Sequence, residues 1–126
     1  MTRQDWPVVA VVSAGGVCGA LARYGLAAAW PYRPGGFPWG TLVTNVSGCL
    51  LIGGLMVFAG GRFLRPFLGT GVLGGYTTFS AYAVDVVATA RAGAPVTALA
   101  YLAGTVVAAV LAVWAGGAAT RKLAGR

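Results

Sequence analysis

Gly71-Val-Leu-Gly-Gly-Tyr-Thr-Thr-Phe-Ser-Ala-Tyr82 is an apolar stretch that makes a poor helix. Gly74 and Gly75 each weaken a helix by about 1 kcal/mol relative to alanine, and Tyr76, Thr77 and Thr78 follow without a strong helix former. The stretch lies inside a hydrophobic run long enough to cross a bilayer. Freed backbone groups persist there only if protein, water or an ion satisfies them. An interruption over Gly74–Thr77 therefore presents carbonyls and amides at membrane depth, as the discontinuous helices that hold ions do. Phe79 and Tyr82, three residues apart, share a face where the helix resumes. The stretch also reads as a glycine hinge with two packing aromatics, because kinks gather at such small-residue pairs.

The rest of the composition sets the environment. Of 126 residues, 58% are hydrophobic and 9% charged, with two acids, nine bases and no histidine. That little charge cannot cover a soluble domain, whose apolar share averages roughly 45–50%. The chain is expected to be an all-α integral membrane protein. At ~20 apolar residues per span, its length allows four spans and no soluble catalytic domain. The formal charge of +7 falls at the ends of apolar runs, which points to lipid headgroups and orientation rather than nucleic acid. Cys18 and Cys49 have neither CxxC spacing nor a histidine partner, so they read as small buried hydrophobes.

Outward from the opening stretch, one transmembrane domain, residues 1–126, divides into spans at about 6–30, 39–58, 66–90 and 95–118. The first apolar run reads as a retained span rather than a signal peptide. Trp6 and Trp30 bracket span one as interfacial aromatics, and Gly15, Gly16, Gly19 and Ala20 permit close helix approach. Arg23 sits a turn or two short of the far interface, where a guanidinium snorkels or pairs within the protein. The proline-rich connection 31–38 cannot continue a helix. Span two carries Thr41, Thr44, Asn45 and Ser47 in its first half, polar groups that should face protein or water. Asn45, with two donors and two acceptor sites to satisfy, is the strongest candidate for a functional role. In span four, Tyr101 and Thr105 share a face at i, i+4.

Charge sets orientation. An even span count puts both termini on one side with Arg3, Arg62, Arg65, Arg121, Lys122 and Arg126. The other side holds Arg33 and Arg91, plus Arg23 within its span. The positive-inside rule makes the termini mostly cytoplasmic. Arg23, Asn45 and Asp85 then lie toward the opposite side. An Arg23–Asp85 ion pair, direct or water-bridged, is expected to make both charges tolerable in the membrane.

Three stretches together, Gly15-Gly-Val-Cys-Gly-Ala-Leu-Ala-Arg-Tyr24, Gly40-Thr-Leu-Val-Thr-Asn-Val-Ser-Gly48 and Gly71-Val-Leu-Gly-Gly-Tyr-Thr-Thr-Phe-Ser80, resemble the signatures of the Fluc/CrcB fluoride channels of bacterial membranes. Each is glycine-rich and weak alone; the ordered set across spans one to three is specific. The resemblance implies four-helix subunits in an antiparallel, dual-topology-type dimer, with span three broken mid-membrane and two fluoride pores along the interface. It places the chain in the bacterial inner membrane, conferring fluoride resistance by passive fluoride export. It also implies a central structural sodium ion on the carbonyls of Gly74 and Thr77, beside Gly75. On the fluoride path it places Asn45, Thr41 nearer the mouth, Phe79 and Tyr82, and Thr105 in a thin span-four polar track. Tyr82 departs from the family's usual phenylalanine, so its hydroxyl either enters the ion path or turns the ring.

The residue types suit that function. Fluoride is small and strongly hydrated, so a selective pore must replace its water with many weak donors. Asparagine N–H, threonine O–H and the electropositive edge of an aromatic ring are such donors. None carries a fixed full charge, so the ion can leave as well as enter. Two other functions compete: a small proton-coupled exporter of the four-span dimer class, which needs a titratable acid in its substrate site, and a non-transporting membrane assembly factor. The charge bias of six against two or three favours pairing with an oppositely oriented paralogue over an identical copy.

Overall fold

A computed structural model describes residues 2–125; Arg126, counted above among the bases of the terminal side, lies outside them. Every regular element in these residues is helical: α1 (Trp6–Ala29), α2 (Trp39–Phe58), α3 (Pro66–Leu73 running on through Gly74–Tyr76), α4 (Phe79–Arg91) and α5 (Pro95–Leu123). Three of them, α1, α2 and α5, are long and apolar enough to cross a membrane. Pro7, Pro66 and Pro95 stand in the first turn of α1, α3 and α5, where a missing N–H costs nothing. Gly35, Gly61 and Gly93, all at positive φ, turn the connections.

Two helix pairs build the body: α1 packs on α3, and α2 packs on α5, with α4 laid against α5. Glycine makes both contacts possible. Gly15 and Gly19 of α1 face Gly71 and Val72 of α3, and Gly75 meets the Gly16 backbone; a Cβ on Gly19 or Gly75 would overlap a backbone carbonyl. Spacing of Gly15–Gly19 and Gly71–Gly75 by four residues is the small-residue pattern of close membrane crossings. On the other side, Gly53 lies against Val113 and Gly116 against Leu50. Few large hydrophobes are buried, Leu73, Tyr82 and Tyr101 among them, while leucines, valines and tryptophans cover the exterior. An apolar exterior of that extent suits lipid, and the chain is a multi-pass membrane protein.

The third helix is interrupted, later than its glycines suggest. Over Pro66–Leu73 it is wound wide, with the Gly74 N–H reaching the Gly69 carbonyl five residues back. Gly74, Gly75 and Tyr76 are then helical. The chain leaves the helix at Thr77 (ψ 155°) and Thr78 (φ −149°, ψ 118°) before α4 begins. The expected break over Gly74–Thr77 is thus corrected to Thr77–Thr78. Gly75 is there because α1 is too close for a side chain, not because the backbone gives way.

Candidate functional site

Side chains from α1 and α2 hold the interruption open. The Asn45 carboxamide pairs with both backbone groups of Thr78: Oδ1 accepts from the Thr78 N–H at 2.7 Å, and Nδ2 donates to the Thr78 carbonyl at 2.9 Å. Arg23 Nη1 donates to the Thr77 carbonyl at 3.3 Å. Ser47 and Tyr76 share a hydroxyl hydrogen bond of 2.9 Å. Gly48 leaves space for the Thr77 methyl. On the far side Thr78 Oγ1 accepts the Ala81 N–H at 3.1 Å, capping α4. A backbone held from this many directions keeps a conformation it would abandon alone.

Arg23 and Asp85 make no direct ion pair. Asp85 accepts from the Thr41 hydroxyl at 2.6 Å, a charge-assisted bond, while Arg23 is committed to Thr77. In place of a direct ion pair there are two separate arrangements, because the interruption offers Arg23 a carbonyl and α2 offers Asp85 a hydroxyl. One turn beyond Asp85, Thr89 bonds the Tyr32 hydroxyl at 2.7 Å, so α4 is fastened to both α2 and the 31–38 connection.

Two cavities flank Thr78. The larger, about 460 Å³, is a groove bordered by Asn45, Gly74, Thr77, Thr78, Phe79, Tyr82 and Thr105, and continued by apolar Ile52, Val106 and Val110. The other, about 320 Å³, is bordered by Arg23, Tyr24, Tyr32, Thr41 and Thr44. Asn45, Phe79, Tyr82 and Thr105 are thus brought together, and Thr41 is separated from them by the Thr78 segment. Phe79 is 79% exposed, whereas Tyr82 beside it, with ring centroids 5.7 Å apart, is 5% exposed. The Tyr82 hydroxyl donates to the Leu102 carbonyl of α5 at 2.6 Å. The hydroxyl is therefore turned to α5, while the residue borders the groove.

Sequence reading missed the aromatic order behind this. Tyr82 packs on Tyr101, Tyr101 meets Phe37 edge-on, and Phe37 packs on Trp39, with successive centroids 5.3, 5.5 and 4.4 Å apart. The rings run without a gap from the interruption to the start of α2. Nothing in the spacing of Phe37, Tyr82 and Tyr101, which come from three separate segments, signals it. The Thr105 hydroxyl is buried with no hydrogen-bond partner among the described residues, and that of Tyr101, also without one at good geometry, lies beside Thr41 and Asp85. Such groups are rare because each costs free energy unless water or an ion serves it.

The chain is 57% identical over 104 residues to the fluoride-specific ion channel FluC 2 of Streptomyces avermitilis, covering 79% of this chain and 66% of that one. It is 49% identical over 131 residues to the fluoride-specific ion channel FluC 1 of Streptomyces coelicolor, covering 97% and 85%. To the fluoride-specific ion channel FluC 2 of Thermobifida fusca it is 50% identical over 127 residues, covering 97% and 94%. These relatives are channels, and the chain is not an enzyme. The CrcB-like proteins (camphor resistance, CrcB) match residues 10–117, and the chain belongs to that family.

Proposed function

We propose that this chain conducts fluoride passively across the membrane, along the groove that begins at the Thr78 interruption. One observation carries the reading. The groove brings Thr105, whose buried hydroxyl has no protein partner, together with the ring pair Phe79 and Tyr82 and the end of α4. The first N–H groups of α4 have no helical partners of their own, and a helix N-terminus favours negative charge. Hydroxyl, ring edge and amide dipole are neutral donors suited to replacing the water of a small anion. Thr41, whose proton is engaged by Asp85, stands toward the mouth on the other side.

The groove is open along one flank, where Phe79 projects. A second subunit in opposite orientation closes it in this reading, giving two pores at the interface of an antiparallel dimer. In this reading the chain lies in a bacterial inner membrane, and the bias of Arg3, Arg62, Arg65, Arg121 and Lys122 toward one end favours a cytoplasmic side for that end by the positive-inside rule. The same bias favours a paralogous partner. The four spans are then α1, α2, α5 and the interrupted α3–α4.

A central sodium ion fits the carbonyls present. Diverting the Thr78 N–H to Asn45 leaves Gly74, which is exposed on the groove, without the helical donor its carbonyl would otherwise have. The Thr77 carbonyl accepts from Arg23 and keeps a second lone pair. Gly74 and Thr77 would hold the ion, which would supply a fixed positive field near the anion path.

Efflux from liposomes followed with a fluoride electrode tests the reading. Flux set by voltage alone, without a pH gradient, and reduced by Phe79→Ile is expected; flux that requires a proton gradient would instead make the protein an exporter. Asp85, the one acid within the helices, borders neither of these two cavities, which favours the channel over a coupled exporter.

A further inference from the structure

We infer that Asn45 is a positioning residue: it serves the ion path by holding the Thr78 backbone. The inference rests on the channel reading above. Thr78 is extended (φ −149°, ψ 118°), and an extended residue directs its own N–H and C=O to the same side. The Asn45 carboxamide meets both, at 2.7 and 2.9 Å, as the neighbouring residue does in a hydrogen-bonded antiparallel pair. One planar side chain thus imitates a strand that is not there.

The residue type is dictated by that task. The clamp needs an acceptor and a donor side by side in one plane. Aspartate supplies the acceptor but at neutral pH has no proton for the Thr78 carbonyl. Serine and threonine have a single heteroatom, and glutamine is longer by a methylene.

The clamp has two consequences for the path. In a continuous helix the Thr78 N–H would bond the Gly74 carbonyl four residues back; taken by Asn45, it leaves that carbonyl free on the groove. The Thr78 side chain is at the same time free to cap α4 through the Ala81 N–H. Asn45 therefore ends one helical limb and permits the next to start, and the free carbonyl and the free amides of the path both depend on it. Its acceptor oxygen and one amide proton are occupied in doing so.

The test is a cycle in liposome efflux between Asn45→Ala and a backbone ester at residue 78, which replaces only the Thr78 N–H by oxygen. A buried group left unpaired carries a penalty large enough to read, so each change alone is expected to lower maximal fluoride flux roughly tenfold or more. The ester should leave the fluoride concentration giving half-maximal flux unchanged, and the double change should be no worse than Asn45→Ala. If the ester leaves flux within about twofold of the unmodified channel, or if two large losses multiply as independent sites do, the Thr78 clamp does not serve the path and the inference fails. Hydrogen exchange gives a readout independent of flux: the Thr78 amide should be protected in the unmodified protein and lose that protection in Asn45→Ala. Equal exchange in both overturns the clamp. An unmodified protein that passes no fluoride while its Thr78 amide is protected overturns the channel reading and leaves the clamp standing.

Discussion

Tyr82 donates its hydroxyl to the Leu102 carbonyl at 2.6 Å, joining α4 to the N-terminal third of α5. The carbonyl keeps its place in the α5 ladder, so the bond is additional to the helix's own. Because the ring is held at one end, Tyr82 is a wall and the exposed Phe79 is the member of the pair with room to move.

Tyr82→Phe, which installs the phenylalanine usual at this place in the resembling channels, should lower stability by about 1 kcal/mol. That is the ordinary net worth of one hydrogen bond, and no acceptor is left unsatisfied. Unfolding in detergent monitored by near-ultraviolet circular dichroism measures it. An unchanged midpoint would show that the tether contributes nothing.

Arg23 and Asp85 should behave as independent sites. A double-mutant cycle of Arg23→Ala with Asp85→Ala is expected to give a coupling below about 0.5 kcal/mol. The cycle of Thr41→Val with Asp85→Ala should give about 1.5–3 kcal/mol, as for a hydrogen bond to a charged group. Strong coupling in the first cycle would restore the ion pair that the structure replaces.

Glycine substitutions should separate the two faces of α1 and α3. A Cβ on Gly75 would strike the Gly16 backbone, which cannot swing aside as a side chain can. Gly75→Ala should therefore cost about 1–3 kcal/mol or more. Gly16→Ala, whose Cβ meets nothing within 4 Å, should be neutral or slightly stabilising. Equal tolerance of the two in a thermal-unfolding assay would mean that α1 and α3 are not so close.

Thr105→Val removes a buried hydroxyl that has no protein partner. Deleting an unsatisfied group of nearly unchanged shape should leave stability level or raise it by up to about 1 kcal/mol. If the hydroxyl serves the permeating anion, the same change should cut fluoride flux roughly tenfold, an effect of about 1.4 kcal/mol. Flux that survives intact would remove Thr105 from the path.

The sequence by itself determined the environment, the helices and the neighbourhood of the interruption. These are local properties: hydropathy, glycine and proline placement, and the absence of charge act within one segment. The resemblance also singled out Asn45, Phe79, Tyr82 and Thr105, which the fold gathers around one groove. Only the tertiary structure decided where the helix stops and which polar groups meet. Gly74 and Gly75, weak helix formers, stay helical, Gly75 with the Gly16 backbone of α1 against it and Gly74 exposed beside it. Thr77 and Thr78 yield because Arg23 and Asn45, far away in the chain, offer their backbone better partners than the helix does. The same logic separated Arg23 from Asp85 and turned the Tyr82 hydroxyl inward. In a medium without water, a polar group takes whichever partner the packing brings within about 3 Å, and that choice is made between segments, not along them.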